Sequence, residues 1–237
     1  MTPAPSPLWP PGVRDLAFGE GLSLAVDAHA VRLTHATPLR TLSSALVGAG
    51  LGQARHFCNF HVDKGYAGRT PRADLLDWLA RRGLEGEQSV AMMTAVSPAH
   101  LVLATAEAGA RSVLAAVTAG VGNAVDITAA VEGDPRPVVG TINIQLFIDG
   151  HLDDGALVNA AQSVTEAKGQ ALHARGVRDP HTGTPATGTS TDCLAIAATQ
   201  RGAPTPYAGS GTRLGRAIGE VVFRAVTASL AMTEEAR

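Results

Sequence analysis

Ile142, Ile144, Leu146 and Ile148 recur at every second position. That alternation predicts a strand with these four side chains on one face and Asn143 and Gln145 on the other. After a polar turn the period changes. Leu157, Ala160, Ala161, Val164, Ala167 and Ala171 form one apolar stripe at helical spacing, and Asp153 or Asp154 is placed to cap the helix that carries it. Lys168 falls near the centre of the stripe, whereas Glu166 projects from the opposite side among Asn159, Gln162, Gln170 and His173. An ammonium aimed at a core is costly unless it is paired, deprotonated or led to water by its stem.

The same patterning organises the rest of the chain. Leu22–Val26 and Ala30–Leu33 read as a hairpin around Asp27–His29, and Arg55–Val62 and Ser89–Thr94 as strands. Thr41–Gly52 mixes hydroxyls with glycines and reads as a loop or tight turn. Pro71 fits a first helical turn, followed by an amphipathic stretch through Leu75, Leu76, Trp78 and Leu79 that ends at Gly83. His100–Ala106 is compatible with strand or helix, and Ser112–Thr118 is a strand. Glu132–Pro137 and Arg178–Gly188 are loops, Cys193–Thr199 is an apolar run, and Arg213–Leu230 is a closing helix. With strands and helices intermixed, no repeat and no linker, the fold class is α/β (α+β): a single layered domain, a mixed β-sheet covered by helices. Residues 1–20 are expected to form a proline-rich N-terminal arm, and 21–237 a single domain.

Composition narrows the function. The 237 residues are 45% hydrophobic and 17% charged, with a formal net charge of −2 and 4% aromatic residues. This describes a packed globular protein with neither the basic footprint nor the stacking surface of a nucleic-acid binder. No apolar run approaches the roughly twenty residues of a membrane span, and MTPAPSPLWPPG lacks the basic start and apolar core of a signal peptide. A cytoplasmic location is expected, and self-association into a homo-oligomer is left open. Cys58 and Cys193 have no metal-ligand spacing and are expected to be reduced, buried thiols, with no metal site. Lys64 and Lys168 are the only lysines beside seventeen arginines. Because only lysine combines a compact charge with a proton it can release, its retention on an apolar stripe suits chemistry. It equally suits a structural lysine whose stem packs on Ala160, Val164 and Ala171 while its head meets a carboxylate or carbonyls.

Motifs for a nucleophile elbow, a zinc protease or a phosphate loop are absent. Five loops instead concentrate Gly, Ser, Thr and Asn: Ser43-Ser44 with Gly48–Gly52, Thr118–Asn123, Gly140–Asn143, Ala186–Asp192 and Tyr207–Gly215. Any one is an ordinary turn. Together they suit a cleft offering backbone N–H groups and small hydroxyls to a large polar ligand. Lys168 and Asp192 are the leading candidates for chemistry, with Thr189 as a hydroxyl that an acid could orient and Glu166 as a second carboxylate. Ser43, Ser44, Asn123, Thr141, Asn143, Thr187, Thr191 and Tyr207 are candidates for binding. His61 and Asp63 could form an acid–base pair, but a packed histidine is the simpler reading.

Taken in order, TLSSALVGAGL (Thr41–Leu51), MMTA (Met92–Ala95), VTAGVGN (Val117–Asn123), GTINI (Gly140–Ile144), TEAK (Thr165–Lys168), ATGTSTD (Ala186–Asp192) and YAGSGTRLG (Tyr207–Gly215) resemble the adenosylcobinamide amidohydrolases, the CbiZ family. The resemblance runs from about Thr41 to Ala225 and departs at the proline-rich start and at His61–Tyr66. It implies hydrolysis of the aminopropanol amide of adenosylcobinamide to adenosylcobyric acid in corrinoid salvage. The corrinoid is then a small-molecule substrate and no cofactor is expected. An activated hydroxyl or water near Lys168 or Asp192 would attack, with backbone N–H groups around Gly120–Asn123 or Gly188 as oxyanion donors. A non-catalytic corrinoid-binding protein and an amidohydrolase of another bulky amide are the alternatives.

Overall fold

The computed structural model describes residues 12–130 and 141–235. Nine strands form one sheet: β1 (Val13–Asp15), β2 (Leu22–Val26), β3 (Ala30–Ser43), β4 (Gly50–His61), β5 (Ser89–Thr94), β6 (Val102–Ala108), β7 (Arg111–Ala119), β8 (Ile142–Asp149) and β9 (Cys193–Ala198). Three α-helices accompany them: α1 (Pro71–Ala80), α2 (Asp154–Ala174) and α3 (Arg213–Glu235). The sheet order is β1-β2-β3-β9-β8-β7-β6, with β4 on the other flank of β3 and β5 beyond it. Two pairs are parallel, β8 with β9 and β4 with β5, and the others are antiparallel. The mixed, helix-covered single domain expected from the sequence is the fold observed.

The long strand β3 makes the sheet curl. Its first half pairs with β2 and its last four residues with β9, while β4 follows its other side throughout. The register with β4 shifts between Thr34 and Leu39, and Pro38 lies inside that interval. Proline has no N–H to give a ladder and so sits where pairing is already interrupted. The two halves of the curled sheet then face each other across a core of Leu24, Leu33, Phe57, Met92, Phe147 and Ala195. The outer face of β6–β9 packs against α2 and α3 through Ile142, Ile144, Leu146, Val164, Ile218 and Val222, and α1 covers β4 and β5 through Leu75 and Leu79. Strand β8 is therefore buried on both faces, with its four aliphatics toward the helices and Asn143, Gln145 and Phe147 toward the opposite sheet half.

Several sequence expectations change in detail. Thr41–Gly52 is mostly strand: Thr41–Ser43 end β3 and Gly50–Gly52 open β4, leaving only Ser44–Ala49 to turn. Its small residues mimic a loop because the strands end there in crowded surroundings. A side chain at Gly48, whose φ is +76°, would strike the Ser89 carbonyl at 2.6 Å. Residues 13–18, expected in the N-terminal arm, belong to the domain, since β1 is an edge strand and Phe18 is core. His100–Ala106 resolves as a strand, and Glu132–Pro137 lies outside the described residues. Asp153 occupies the cap position of α2 without a side-chain cap bond, while Asp154 pairs with Arg40 at 2.8 Å.

Phe147 is fully buried in the inter-sheet core. It meets the Phe57 ring edge-on at 4.9 Å and the Phe18 ring at 6.1 Å between centroids. Removing a ring that locks both sheet halves and the chain before β2 should cost about 3–5 kcal/mol. Urea unfolding of Phe147→Ala beside the parent protein measures this, and a loss below about 1 kcal/mol would contradict the packing described.

Candidate functional site

Parallel strands β8 and β9 begin side by side, so the residues just before and at their starts are brought together: Thr141, Ile142 and Asn143 from one, Asp192 and Cys193 from the other. The end of β3 and that of β7 reach the same edge, since Ser43 pairs with Ala195 and Ala119 with Ile142. Helix α2 runs across this edge and supplies Lys168. The Lys168 ammonium bonds the Oδ2 of Asp192, and with side-chain exposures of 13% and 19% this is the least exposed ion pair among the described residues.

Asp192 is held from four directions. Besides Lys168, its Oδ2 accepts the Thr189 N–H at 3.1 Å, and its Oδ1 accepts the Ile142 N–H at 3.1 Å and the Thr189 hydroxyl. Gly188 makes room for the pair. A Cβ there would stand 2.6 Å from Asp192 Oδ2 and 2.8 Å from Lys168 Nζ, closer than real Cβ contacts come. The turn carrying Asp192 is fixed in its own right, because Gly188 and Thr189 pair antiparallel with Val125 and Ala124. Asn123 Nδ2 reinforces it by donating to the hydroxyls of Ser190 at 2.8 Å and Thr191 at 3.3 Å.

A buried polar chain lies beneath the turn. Thr141 Oγ1 donates to the Thr191 carbonyl at 2.6 Å and lies 3.0 Å from Asn143 Oδ1. Asn143 Nδ2 donates to Asn59 Oδ1 at 2.7 Å and to the Met93 carbonyl at 2.8 Å, and Asn59 Nδ2 donates to Thr118 Oγ1 at 2.8 Å. Such groups are tolerated inside only when bonded. Asn143, at 1% exposure, is thereby placed between the sheet halves and not in a cleft.

Two cavities adjoin the ion pair and share part of their walls. A slot of about 390 Å³ is lined by the end of β3, the flank of α2 and Lys168. A wider cavity of about 610 Å³ lies toward β5 and the loop before α1. Ser44, Asp192 and Cys193 border both. Ser44 Oγ accepts the Leu194 N–H at 3.0 Å and is 3.9 Å from Cys193 Sγ. Burial pushes the Cys193 thiol up to about 11, with Ser44 and the Leu194 N–H opposing, so the nucleophilic thiolate is scarce at neutral pH.

The structure gathers Lys168, Asp192, Thr189, Ser43, Ser44, Thr141 and Thr191 at this edge and separates others. Glu166 is exposed on α2 and lines neither cavity. Thr187 braces the neighbouring loop, accepting the Ile127 N–H at 3.1 Å, and Tyr207 is 66% exposed; neither lines the two cavities. Of the backbone N–H groups around Gly120–Asn123 and Gly188, that of Gly120 is taken by the Thr141 carbonyl at 3.0 Å, and that of Thr189, beside Gly188, by Asp192 at 3.1 Å. His61 is the packed histidine of the simpler reading, its Nδ1 3.2 Å from the Val96 carbonyl. Sequence reasoning missed Asn59, Met93 and Tyr66. Asn59 alternates with Phe57 and His61 on β4, and a polar residue between aromatics was the available signal. No group of three metal-ligating side chains occurs among the described residues.

Fold and site together define a layered α+β protein with a lysine–aspartate pair set between two adjoining cavities. The family model for adenosylcobinamide amidohydrolase (CbiZ) matches residues 20–237, and the chain belongs to that family. An adenosylcobinamide amidohydrolase of Methanosarcina mazei is 28% identical over 203 residues, covering 82% of this chain and 91% of that protein. An uncharacterised Methanocaldococcus jannaschii protein is 35% identical over 97 residues, and there the match spans 40% of this chain and only 38% of the relative. Among solved structures, a Burkholderia sp. beta-aminopeptidase aligns over 92% of this chain and 84% of its own at 15% identity, with a TM-score of 0.44. No described helix is long and apolar enough to cross a membrane.

The raised thiol values generate a test. Cys193 at about 11 and fully buried Cys58 at about 12, both lifted by burial from 9.0, should alkylate slowly in the folded protein. For Cys193 at pH 8, labelling with iodoacetamide should run about a hundredfold below that of the unfolded chain and climb about tenfold per pH unit toward pH 11. Because the fold favours the protonated thiols, their contribution to stability is complete below pH 9 and is lost as the pH rises through 11 to 12. Mass-spectrometric labelling across pH checks the first statement. Fast labelling of Cys193 at pH 8 would refute it.

Proposed function

We propose that this protein hydrolyses the amide joining the aminopropanol arm to adenosylcobinamide, yielding adenosylcobyric acid and the free amine. The observation that carries this reading is the Lys168 ammonium, held by Asp192 between the two adjoining cavities. Family membership supplies the substrate class. The corrinoid is the substrate, and no further cofactor enters the reaction as proposed.

An ammonium has three N–H donors, and Asp192 is the one partner of Lys168 Nζ among the described residues. The remaining donors are available to a substrate carbonyl, where they strengthen as the oxygen gains negative charge in the tetrahedral intermediate. Asp192 already accepts from Lys168, Thr189 and Ile142, so it orients the lysine better than it could act as a base. Thr189 holds Asp192 in turn. Water adds to the carbonyl carbon, the carbon–nitrogen bond breaks, and the amine leaves with a proton. The hydroxyls of Ser44 and Thr191 border the wider cavity near the ion pair and are suited to holding that water. The raised thiol argues against Cys193 as the attacking group.

Release of aminopropanol from adenosylcobinamide, followed by mass spectrometry, tests the proposal. Lys168→Ala should lower kcat by about 10²–10³. Asp192→Ala should lower it comparably by freeing the lysine, and Thr189→Ala by about tenfold through the lost hydrogen bond. Glu166→Ala, on the far side of α2, should stay within about threefold of the parent. Near-normal turnover by Lys168→Ala would remove the assigned mechanism. Tight corrinoid binding with no amine released by the parent protein would make it a binding protein instead.

A further inference from the structure

The wider cavity differs from the slot in chemistry as well as size. Its walls are Leu46, Val62, Tyr66, Met92, Met93 and Pro71, and Asp192, shared with the slot, is the only charged side chain among its lining residues. Beside Asp192 and Cys193, its polar groups are the hydroxyls of Ser44, Thr141 and Thr191 near the ion pair, that of Thr94 at the end of β5, which accepts the Val96 N–H, and the Tyr66 phenol. Neighbouring methionines give a wall that adapts to an irregular apolar partner. Leu46, 44% exposed, extends the apolar surface to the rim.

Tyr66 is fixed in that wall before any ligand arrives. Its hydroxyl donates to Asp74 in the first turn of α1, and its N–H bonds the Asp63 carbonyl at 2.9 Å. Burial, followed by the bond to Asp74, pushes the phenol up to about 12, so it remains neutral. Gly68 lies directly against it. A Cβ there would overlap the Tyr66 hydroxyl and stand 2.7 Å from Asp74 Oδ2. A ring held at its hydroxyl end presents its apolar face at low entropic cost on binding.

We propose that the wider cavity holds the body of the substrate, a large, flat, weakly charged ring system, with Tyr66 as a specificity-determining wall, while the Lys168 slot receives the amide-bearing arm. The identity of that ligand rests on the amide-hydrolysis reading above. The division follows from the geometry: a ring lodged between Tyr66 and the methionines points a substituent past Ser44 and Cys193, the residues the two cavities share with Asp192, toward the lysine. The wider cavity lacks the cations that a phosphate-rich ligand requires, and its apolar walls suit a macrocycle whose amides lie at its edge.

Steady-state kinetics of aminopropanol release, and equilibrium dialysis of adenosylcobinamide with each variant combined with Lys168→Ala so that the ligand is not consumed, read by corrinoid absorbance, test this together. Tyr66→Ala should raise KM and the dissociation constant about tenfold while kcat falls less than about threefold. Gly68→Ala, which displaces the ring without removing it, should do the same. Tyr66→Phe, which keeps the ring, should change KM by less than about threefold. Leu46→Asp, at an exposed rim position without folding cost, should weaken binding about fivefold by charging the entrance. Thermal unfolding midpoints identify any variant that fails to fold, and Leu46→Asp then decides. Unchanged binding in the folded variants, or a fall in kcat at constant KM, overturns the subsite. If the parent protein binds the corrinoid without releasing amine and Tyr66→Ala binds about tenfold less tightly, the hydrolysis reading fails and the subsite stands. If turnover is normal and the variants bind as the parent does, the subsite fails and hydrolysis stands.

Discussion

The Asp192 carboxylate is the constraint on which the site depends. A carboxylate this little exposed is stable only when its oxygens are satisfied by donors. Those donors come from three separate stretches: Ile142 at the start of β8, Thr189 in the turn before β9, and Lys168 on α2. Bonding one acid to all three fixes the spacing of strand, turn and helix at the same edge. Gly188 is the cost of that convergence, because the ion pair occupies the space a side chain would need.

The curl of the sheet gives this edge a rigid floor. Since β4 and β5 fold back over β7 and β8, Asn59 meets Asn143 and Thr118, and Asn143 meets the Met93 carbonyl. The polar chain continues through Thr141 to the Thr191 carbonyl, one residue from Asp192. Inter-sheet packing around Phe147 and the positioning of the acid are thus parts of one structure. Within the low dielectric of that core, satisfied amides hold geometry more firmly than apolar contacts would, because any shift leaves a donor unpaired. Asn143 matters to the site as part of its foundation.

The contrast between Lys168 and Asn143 shows which information a sequence carries. The helical period placed Lys168 on the covered side of α2 and Glu166 on the other, and both placements hold because a helix has one direction toward its sheet. The alternation in β8 likewise separated Ile142, Ile144, Leu146 and Ile148 from Asn143 and Gln145. What alternation cannot express is what the second face meets. Asn143 was compatible with a solvent-filled cleft, yet a second sheet half covers it, and that follows from the bend in β3 more than a hundred residues upstream. The same limit explains Thr41–Gly52, where glycines required by close approach resemble glycines required by a turn. Tyr66 gave no local signal at all: its place in the wall depends on Asp74 and on the absence of a side chain at Gly68.

The lysine–aspartate pair also suits the charge history of amide hydrolysis. The substrate amide is neutral, and so is the pair as a whole, so the resting site imposes little net field on a weakly charged ligand. In the mechanism proposed above, the carbonyl oxygen would acquire its negative charge, as water adds, close to a cation whose position is already fixed. An interaction that strengthens only as that charge develops lowers the barrier without tightening ground-state binding. In that mechanism Asp192 would hold the lysine in the resting state through the one bond they share, leaving its other N–H donors for the transition state. Affinity for the substrate then has to come from elsewhere. The wider cavity beside the pair, whose walls away from Asp192 are mostly apolar, is where the structure can supply it.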